Sequence, residues 1–264
     1  MARKIILLIV LFLGLIVYLR VQRQPERRYR ELRQRVIAEF GNQHPEQWSE
    51  SVPGVKTRIN TGKKVIALTL DACGSDGDGY DGALIDYLKS NNIPATLFIN
   101  ARWIDKNPGI FNQLAQEPLF EIENHGFEHK PCSVNGKSIY GIQGTRDAGE
   151  VVDEIEKNGL KIQALTGRKP EYYRSGTAYY DEIGAAIAGK LGYAVVGFSV
   201  LGDRGASYSR EQVKNALLGA AAGSIIICHM NHPEKETAEG VIEAIPELKK
   251  KGFSFVKLSG CSLK

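Results

Sequence analysis

Apolar runs of five or six residues recur along this chain, each separated from the next by an amphipathic stretch, and that alternation limits what the chain can fold into. Val65–Leu70, Ala95–Ile99, Val195–Val200, Ser224–Cys228 and Ser254–Leu258 are bounded by turn residues and predict strands. Between them, Ala83–Lys89, Asp147–Leu165, Arg210–Ala221 and Thr237–Lys250 carry helical periodicity. Strands separated by helices are joined by crossovers, so the sheet is mostly parallel, either open or closed into a barrel. In such folds the loops that leave the C-terminal ends of the strands build the site.

Polar residues fall where that rule wants them. Asp71 follows the first strand, His125 and His129 follow "FEIEN", and Arg174 follows "EYY". Asp203 follows "FSVLG" and His229 follows "SIIIC". Five separate strand ends thus deliver a chemically capable side chain to one rim.

The chain has 264 residues and 43% apolar content, enough for one large domain with a substantial core. Residues 1–40 hold nine Lys/Arg against three Asp/Glu, which leaves 25 against 27 for the remainder. The globular part is therefore not basic, and neither a nucleic-acid nor a nucleotide partner is expected. Ile5–Leu19 is uncharged and strongly apolar, and arginines flank it on both sides. It predicts a hydrophobic helix that serves as a membrane anchor or signal sequence over 1–22. A basic juxtamembrane linker or helix over 23–60 and a catalytic domain over 61–264 would follow, the domain facing the extracytoplasmic side. Four cysteines without C-x-x-C spacing argue against a disulfide framework.

The loop "DACGSDGDGYDG" crowds four aspartates against the mouth of the first strand. Gly77, Gly79 and Gly82 spell the dinucleotide fingerprint, yet Asp76, Asp78 and Asp81 put negative charge where a pyrophosphate would lie, and Asn100 stands where an acidic ribose ligand belongs. A calcium loop starting at Asp76 would place Asp81 where glycine is needed and Tyr87 where glutamate is needed. What survives is either a polar turn in which Asp81 caps the next helix, or part of a metal site.

His125 and His129, at i and i+4, can meet one ion or can be ordinary polar residues. Three of the five histidines lie at predicted strand ends, which favours the ion. The segments "VIALTLDACG", "FEIENHGFEH", "TGRKPEYYRSG", "FSVLGD" and "GSIIICH", in that order, resemble the five motifs of the NodB-like polysaccharide deacetylase superfamily of carbohydrate esterases. The resemblance implies an α/β fold, a distorted and incomplete (β/α) barrel, and metal-dependent removal of acetyl groups, N-acetyl above all, from a cell-envelope or extracellular glycan. It implies Asp71 as base, His125 and His129 as ligands of a divalent ion such as Zn²⁺, Arg174 as the group that orients the base, and His229 as general acid. Asp203 would match the acidic fourth motif. Thr177 would lie at the oxyanion position, and Tyr179 and Tyr180 would stack on a sugar or simply pack.

One position departs from the family pattern. The second aspartate of the first motif, a metal ligand, is Ala72 here. Asp81 is the first candidate to replace it, then Asp78 or Asp76, with Cys73 as a softer donor that would favour zinc. The same defect leaves open an inactive carbohydrate-binding protein on the same scaffold.

Overall fold

The structure is a computed structural model that describes residues 26–264. The hydrophobic segment expected to form an N-terminal anchor lies outside the described residues, among which no helix is long and apolar enough to cross a membrane. The stretch expected as a juxtamembrane linker is part of the globule from residue 26 onward. Helix α1, residues 26–40, packs Val36 and Phe40 into a cluster with Val151 and Val152. Its Arg33 Nε pairs with Asp153 Oδ1 at 2.8 Å.

The remaining elements, in order, are β1 (Val55–Lys56), β2 (Val65–Ala72), α2 (Gly82–Ser90), β3 (Ala95–Ile99), α3 (Ala101–Lys106), α4 (Pro108–Gln116), β4 (Phe120–Asn124) and α5 (Ala148–Thr166). They continue through β5 (Tyr172–Tyr173), α6 (Glu182–Lys190), β6 (Ala194–Val196), β7 (Val200–Leu201), α7 (Arg210–Leu218), β8 (Ser224–His229), α8 (Thr237–Lys250) and β9 (Ser254–Phe255). The sheet is parallel with strand order β1-β6-β5-β4-β3-β2-β8-β7, and β9 pairs with β2. This is the expected incomplete barrel.

The strand expected over 254–258 is cut to Ser254–Phe255 and the helix expected over 210–221 ends at Leu218. Two further departures bear on the site. β2 runs on to Ala72 because Asp71 and Ala72 still pair with β3. The strand expected over 195–200 is broken into β6 and β7, which sit near opposite ends of the sheet order. The sheet therefore curls until three residues join its two ends. At that join the Val196 and Gly197 carbonyls accept from Arg174, at 3.1 and 3.0 Å.

Side-chain alternation sorts residues between layers. Ile66, Leu68, Leu70 and Ala72 join a cluster that also takes in Leu84, Leu88, Val241 and Leu248, from α2 and α8. Ala67 instead joins Phe98, Ile225 and Tyr172, which pack within the curve of the sheet. Odd-numbered β2 residues thus face the barrel interior, and Asp71 is the last of them.

Candidate metal and catalytic site

Register places the first two groups. Asp71 and His229 are direct partners across β2 and β8, so the proposed base and acid rise side by side from the floor of the barrel. Arg174 is fully buried and lies across the interior from β5, with Nη1 donating to Asp71 Oδ1 at 2.6 Å and to Thr69 Oγ1 at 2.8 Å. Its guanidinium also stacks on Phe98, 4.2 Å from the ring centroid. Every edge of the fork is engaged, so Asp71 is held in one orientation, with Oδ2 left 3.6 Å from His125 Nε2.

The two histidines sit on the loop that leaves β4. His125 Nδ1 lies 3.0 Å from the Arg174 carbonyl, which makes it the protonated nitrogen and leaves the Nε2 lone pair free. Asn100 holds the loop from the side, its amide donating to the His125 and Gly126 carbonyls at 3.0 and 2.7 Å. His129 takes a left-handed backbone, φ +63°, an uncommon conformation for a non-glycine residue. Glu154 of α5 sustains it, accepting from the Glu128 and Lys130 amides at 2.9 to 3.1 Å. Gly176 lies so close to this turn that a Cβ there would fall 2.3 Å from the His129 carbonyl carbon. Burial lowers the pKa of His125, and lowers that of His129 well below the usual histidine value, with further help from His125 whenever it is protonated and from the charge of Arg102. Both rings are therefore neutral, the form in which imidazole binds metal.

His129 Nε2 is buried and has no hydrogen-bond partner. An orphaned lone pair of this kind is costly unless something fills it. Cys73, His125 and His129 each bring a ligand atom to within 4.8 Å of one another, and Cys73 Sγ lies 3.8 Å from His125 Nε2. These donors fit a divalent ion that accepts nitrogen and sulfur. Burial raises the Cys73 thiol above its ordinary pKa, with His229 pulling the other way, so a metal would have to expel its proton.

The structure corrects the first choice for the missing carboxylate. Asp81 is the N-cap of α2, with Oδ1 accepting from the Leu84 amide at 3.0 Å, and it is not among the clustered ligand atoms. Asp78 accepts from the Ser75 amide and lies 3.6 Å from His232, while Asp76 pairs with Lys106 at 3.3 Å. The acidic loop mostly builds itself. Cys73 was the least favoured substitute, yet the strand gave a signal for it: one step beyond β2, it continues the face of Asp71, whereas Ala72 faces the outer core.

Asp203 is fully buried, accepts from the His229 amide at 2.7 Å and lies 2.9 Å from His229 Nδ1. Thr237 donates to it at 3.1 Å. Burial alone would discharge His229, but the charge and hydrogen bond of Asp203, with Cys73 adding to them, push the imidazole well above its usual pKa. Asp203 itself is lowered, since its contacts with His229 outweigh burial.

A cleft of about 610 Å³ opens over these groups and includes Asp71, Cys73, His129, Thr177 and His229 in its lining. Thr177 lines this cleft, and its hydroxyl is buried without a hydrogen-bond partner. Tyr180 corrects another expectation. It is fully buried, and its hydroxyl accepts from the Ser175 amide at 3.1 Å, so it packs and does not meet sugar. Tyr179 lies outside the cleft wall, between Trp48 and Tyr140. The cysteines are free, and three of the four are buried.

The sequence profile of the polysaccharide deacetylase family matches residues 58–196. The chain belongs to that family. Among relatives of this deacetylase, the peptidoglycan N-acetylmuramic acid deacetylase PdaA of Bacillus subtilis is 25% identical over 204 residues, covering 74% of this chain and 70% of the relative. A peptidoglycan N-acetylglucosamine deacetylase of Bacillus cereus is 25% identical over 211 residues, covering 78% of this chain and 91% of its own. The crystal structure of a family 4 carbohydrate esterase pseudoenzyme from Bacillus anthracis shares the fold, with TM-score 0.64 at 21% identity over 79% of this chain and 69% of that one. The family match ends at Val196, so Asp203 and His229 enter the site through the tertiary structure.

Proposed function

We propose that this hydrolase removes N-acetyl groups from an envelope glycan of the peptidoglycan type, using a divalent ion, Zn²⁺ first among the candidates, held by Cys73, His125 and His129. The observation that carries the reading is the buried, partnerless Nε2 of His129 beside Cys73 and His125, next to the Asp71 and His229 pair at the base of one cleft. When bound, such an ion supplies Lewis acidity to an acyl oxygen and lowers the pKa of water.

The chain's own groups then divide the work. Asp71, turned by Arg174, takes a proton from the attacking water through the oxygen that Arg174 leaves free. His229 keeps its Nδ1 on Asp203 and presents Nε2 to the departing nitrogen, which leaves as an amine once it is protonated. Thr177 offers its hydroxyl to the acyl group or a sugar hydroxyl. Names carried by the relatives support the glycan class. We also propose that the apolar segment 5–19 anchors the chain with this domain on the extracytoplasmic side, where such glycans lie; fractionation with protease protection of intact cells tests it.

The test of catalysis is acetate release from an N-acetylated glycan, measured alongside bound metal. Asp71→Asn should keep the metal and lose about 10²–10⁴ in rate, the usual worth of a positioned base. His125→Ala should lose metal and activity together. The absence of a carboxylate at Ala72 favours one competing reading, an inactive glycan binder. Metal-loaded protein that binds glycan and releases no acetate would establish it.

The acid limb of the mechanism carries a pH prediction. Asp203 raises the His229 pKa, so the proton needed by the leaving amine persists as pH rises. Asp203→Asn should shift the basic limb of kcat/KM to lower pH, visible in a pH–rate profile. The raised His229 pKa stabilises the fold below the unfolded histidine value, about 6.5, and that contribution fades as pH rises through the folded His229 value; at the acid end it is lost as pH falls through the lowered pKa of Asp203.

A further inference from the structure

The cleft extends outward past the Cys-His-His cluster. Its lining also includes Glu50, Tyr140, Leu201 and Arg204. Among the described residues only four large apolar side chains are exposed, and two of them, Tyr140 at 69% and Leu201 at 37%, line this cleft. Water-exposed apolar area is thus concentrated at the mouth of the site.

Tyr140 is placed there at a conformational cost. Ile139 and Ile142 exchange both backbone hydrogen bonds, at 3.2 and 2.9 Å, which closes a two-residue hairpin. Tyr140 and Gly141 between them take φ of +55° and +76°. Such turns favour Asn-Gly, and a bulky residue at the first position is an outlier that persists only when something rewards it. Burial is not the reward.

Tyr140 belongs to an aromatic cluster. The Tyr179 ring lies 5.9 Å from it at 89°, and Trp48 lies 5.6 Å from Tyr179 at 49°. Whichever tyrosine presents its edge in that perpendicular contact, at least one face of Tyr140 stays clear of Tyr179. Trp48 is fixed by the neighbouring Ser49, which exchanges backbone hydrogen bonds with Tyr180 at 3.1 and 3.0 Å.

We propose that Tyr140, backed by Tyr179 and Trp48, is a stacking subsite for a second sugar ring of the same glycan chain whose acetyl group is presented to Asp71 and His229. Its identity as a glycan subsite rests on the function proposed above. The apolar face of a pyranose matches an open aromatic ring, and Glu50 and Arg204 on the same wall can accept from and donate to its hydroxyls. The continuous cleft makes the occupant a neighbouring residue of the substrate polymer.

Trp48 is a built-in reporter, because the only other tryptophan, Trp103, is fully buried with its Nε1 donating to the Gly79 carbonyl at 2.8 Å. The full-length, metal-loaded protein is titrated with the β-1,4-linked hexamer of N-acetylglucosamine and with the monosaccharide, following fluorescence, and kcat/KM is measured for both. The hexamer should change Trp48 emission at concentrations where the monosaccharide does not. Tyr140→Asn should weaken hexamer binding about three- to tenfold, the worth of one aromatic contact. It should lower the hexamer-to-monosaccharide ratio of kcat/KM by a similar factor, while Tyr140→Phe retains both. Asparagine suits the turn, so an unchanged or higher melting temperature in Tyr140→Asn separates the effect from misfolding. Hexamer binding and a kcat/KM ratio that do not move in Tyr140→Asn overturn the subsite even if acetate is released. A Trp48 response lost in Tyr140→Asn without any acetate release keeps the subsite and removes the hydrolytic reading.

Discussion

Cobalt-loaded protein will show a sulfur-to-metal charge-transfer band in the near ultraviolet, and Cys73→Ser will abolish it. The reasoning starts from the three donor atoms, which come within 4.8 Å of one another, and from the fact that only one of them is sulfur. A thiolate bound to Co²⁺ absorbs where imidazole and carboxylate ligands do not, so the band reports Cys73 independently of turnover. Metal affinity should fall in the same variant by about 100-fold or more, because even outer-shell partners of ligands are worth 10–100-fold. Cys73→Asp would return the oxygen donor typical of the family and should shift preference away from soft ions. Absence of the band from the cobalt-loaded wild-type protein would place the third ligand elsewhere, and the acidic loop would have to be reconsidered.

Arg174→Met should cost about 3–5 kcal/mol of stability, the range for stripping one partner from a buried ion pair. Domains of this kind have about 5–15 kcal/mol in total, so the loss is large enough to read from a denaturant melt. Methionine approximates the length and apolar bulk of arginine over Phe98, which separates packing from polarity. What it removes is every donor to Asp71, Thr69, Val196 and Gly197. Two carbonyls at the break between β6 and β7 and one carboxylate would then be buried without partners. Activity should vanish with the orientation of Asp71. Arg174→Lys should fail as well, since a point ammonium cannot reproduce a planar fork with four acceptors. A stable, active Arg174→Met protein would mean that the interior tolerates an unheld Asp71, contrary to the geometry described.

Much of the site could be read directly from the chain. Asp71, His125, His129, Arg174, Asp203 and His229 all lie at or just beyond the C-terminal ends of strands, and in a parallel fold those ends converge whatever the details of packing. Substitution inside the acidic loop was harder. Asp81 and Cys73 both lie within the same short stretch, and a carboxylate is the more obvious replacement for a lost carboxylate. The helix start at Gly82 decided otherwise, because its orphan amides claim Asp81. Tyr179 and Tyr180 are adjacent and chemically alike, yet backbone bridges from Tyr180 to Ser49 and Cys132 lock the second into the core.

Local periodicity, caps and turn residues act within a few positions, so the sequence alone was sufficient to set the alternation of strands and helices, the parallel sheet and the list of reactive side chains. Which of those side chains share a centre depends on contacts between residues far apart along the chain: Arg174 with Asp71, His125 with the Arg174 carbonyl, Glu154 with the turn at His129. Such contacts form only after the sheet has curled, which is why the sulfur donor, the broken strand at Gly197 and the aromatic rim around Tyr140 were decided by the tertiary structure.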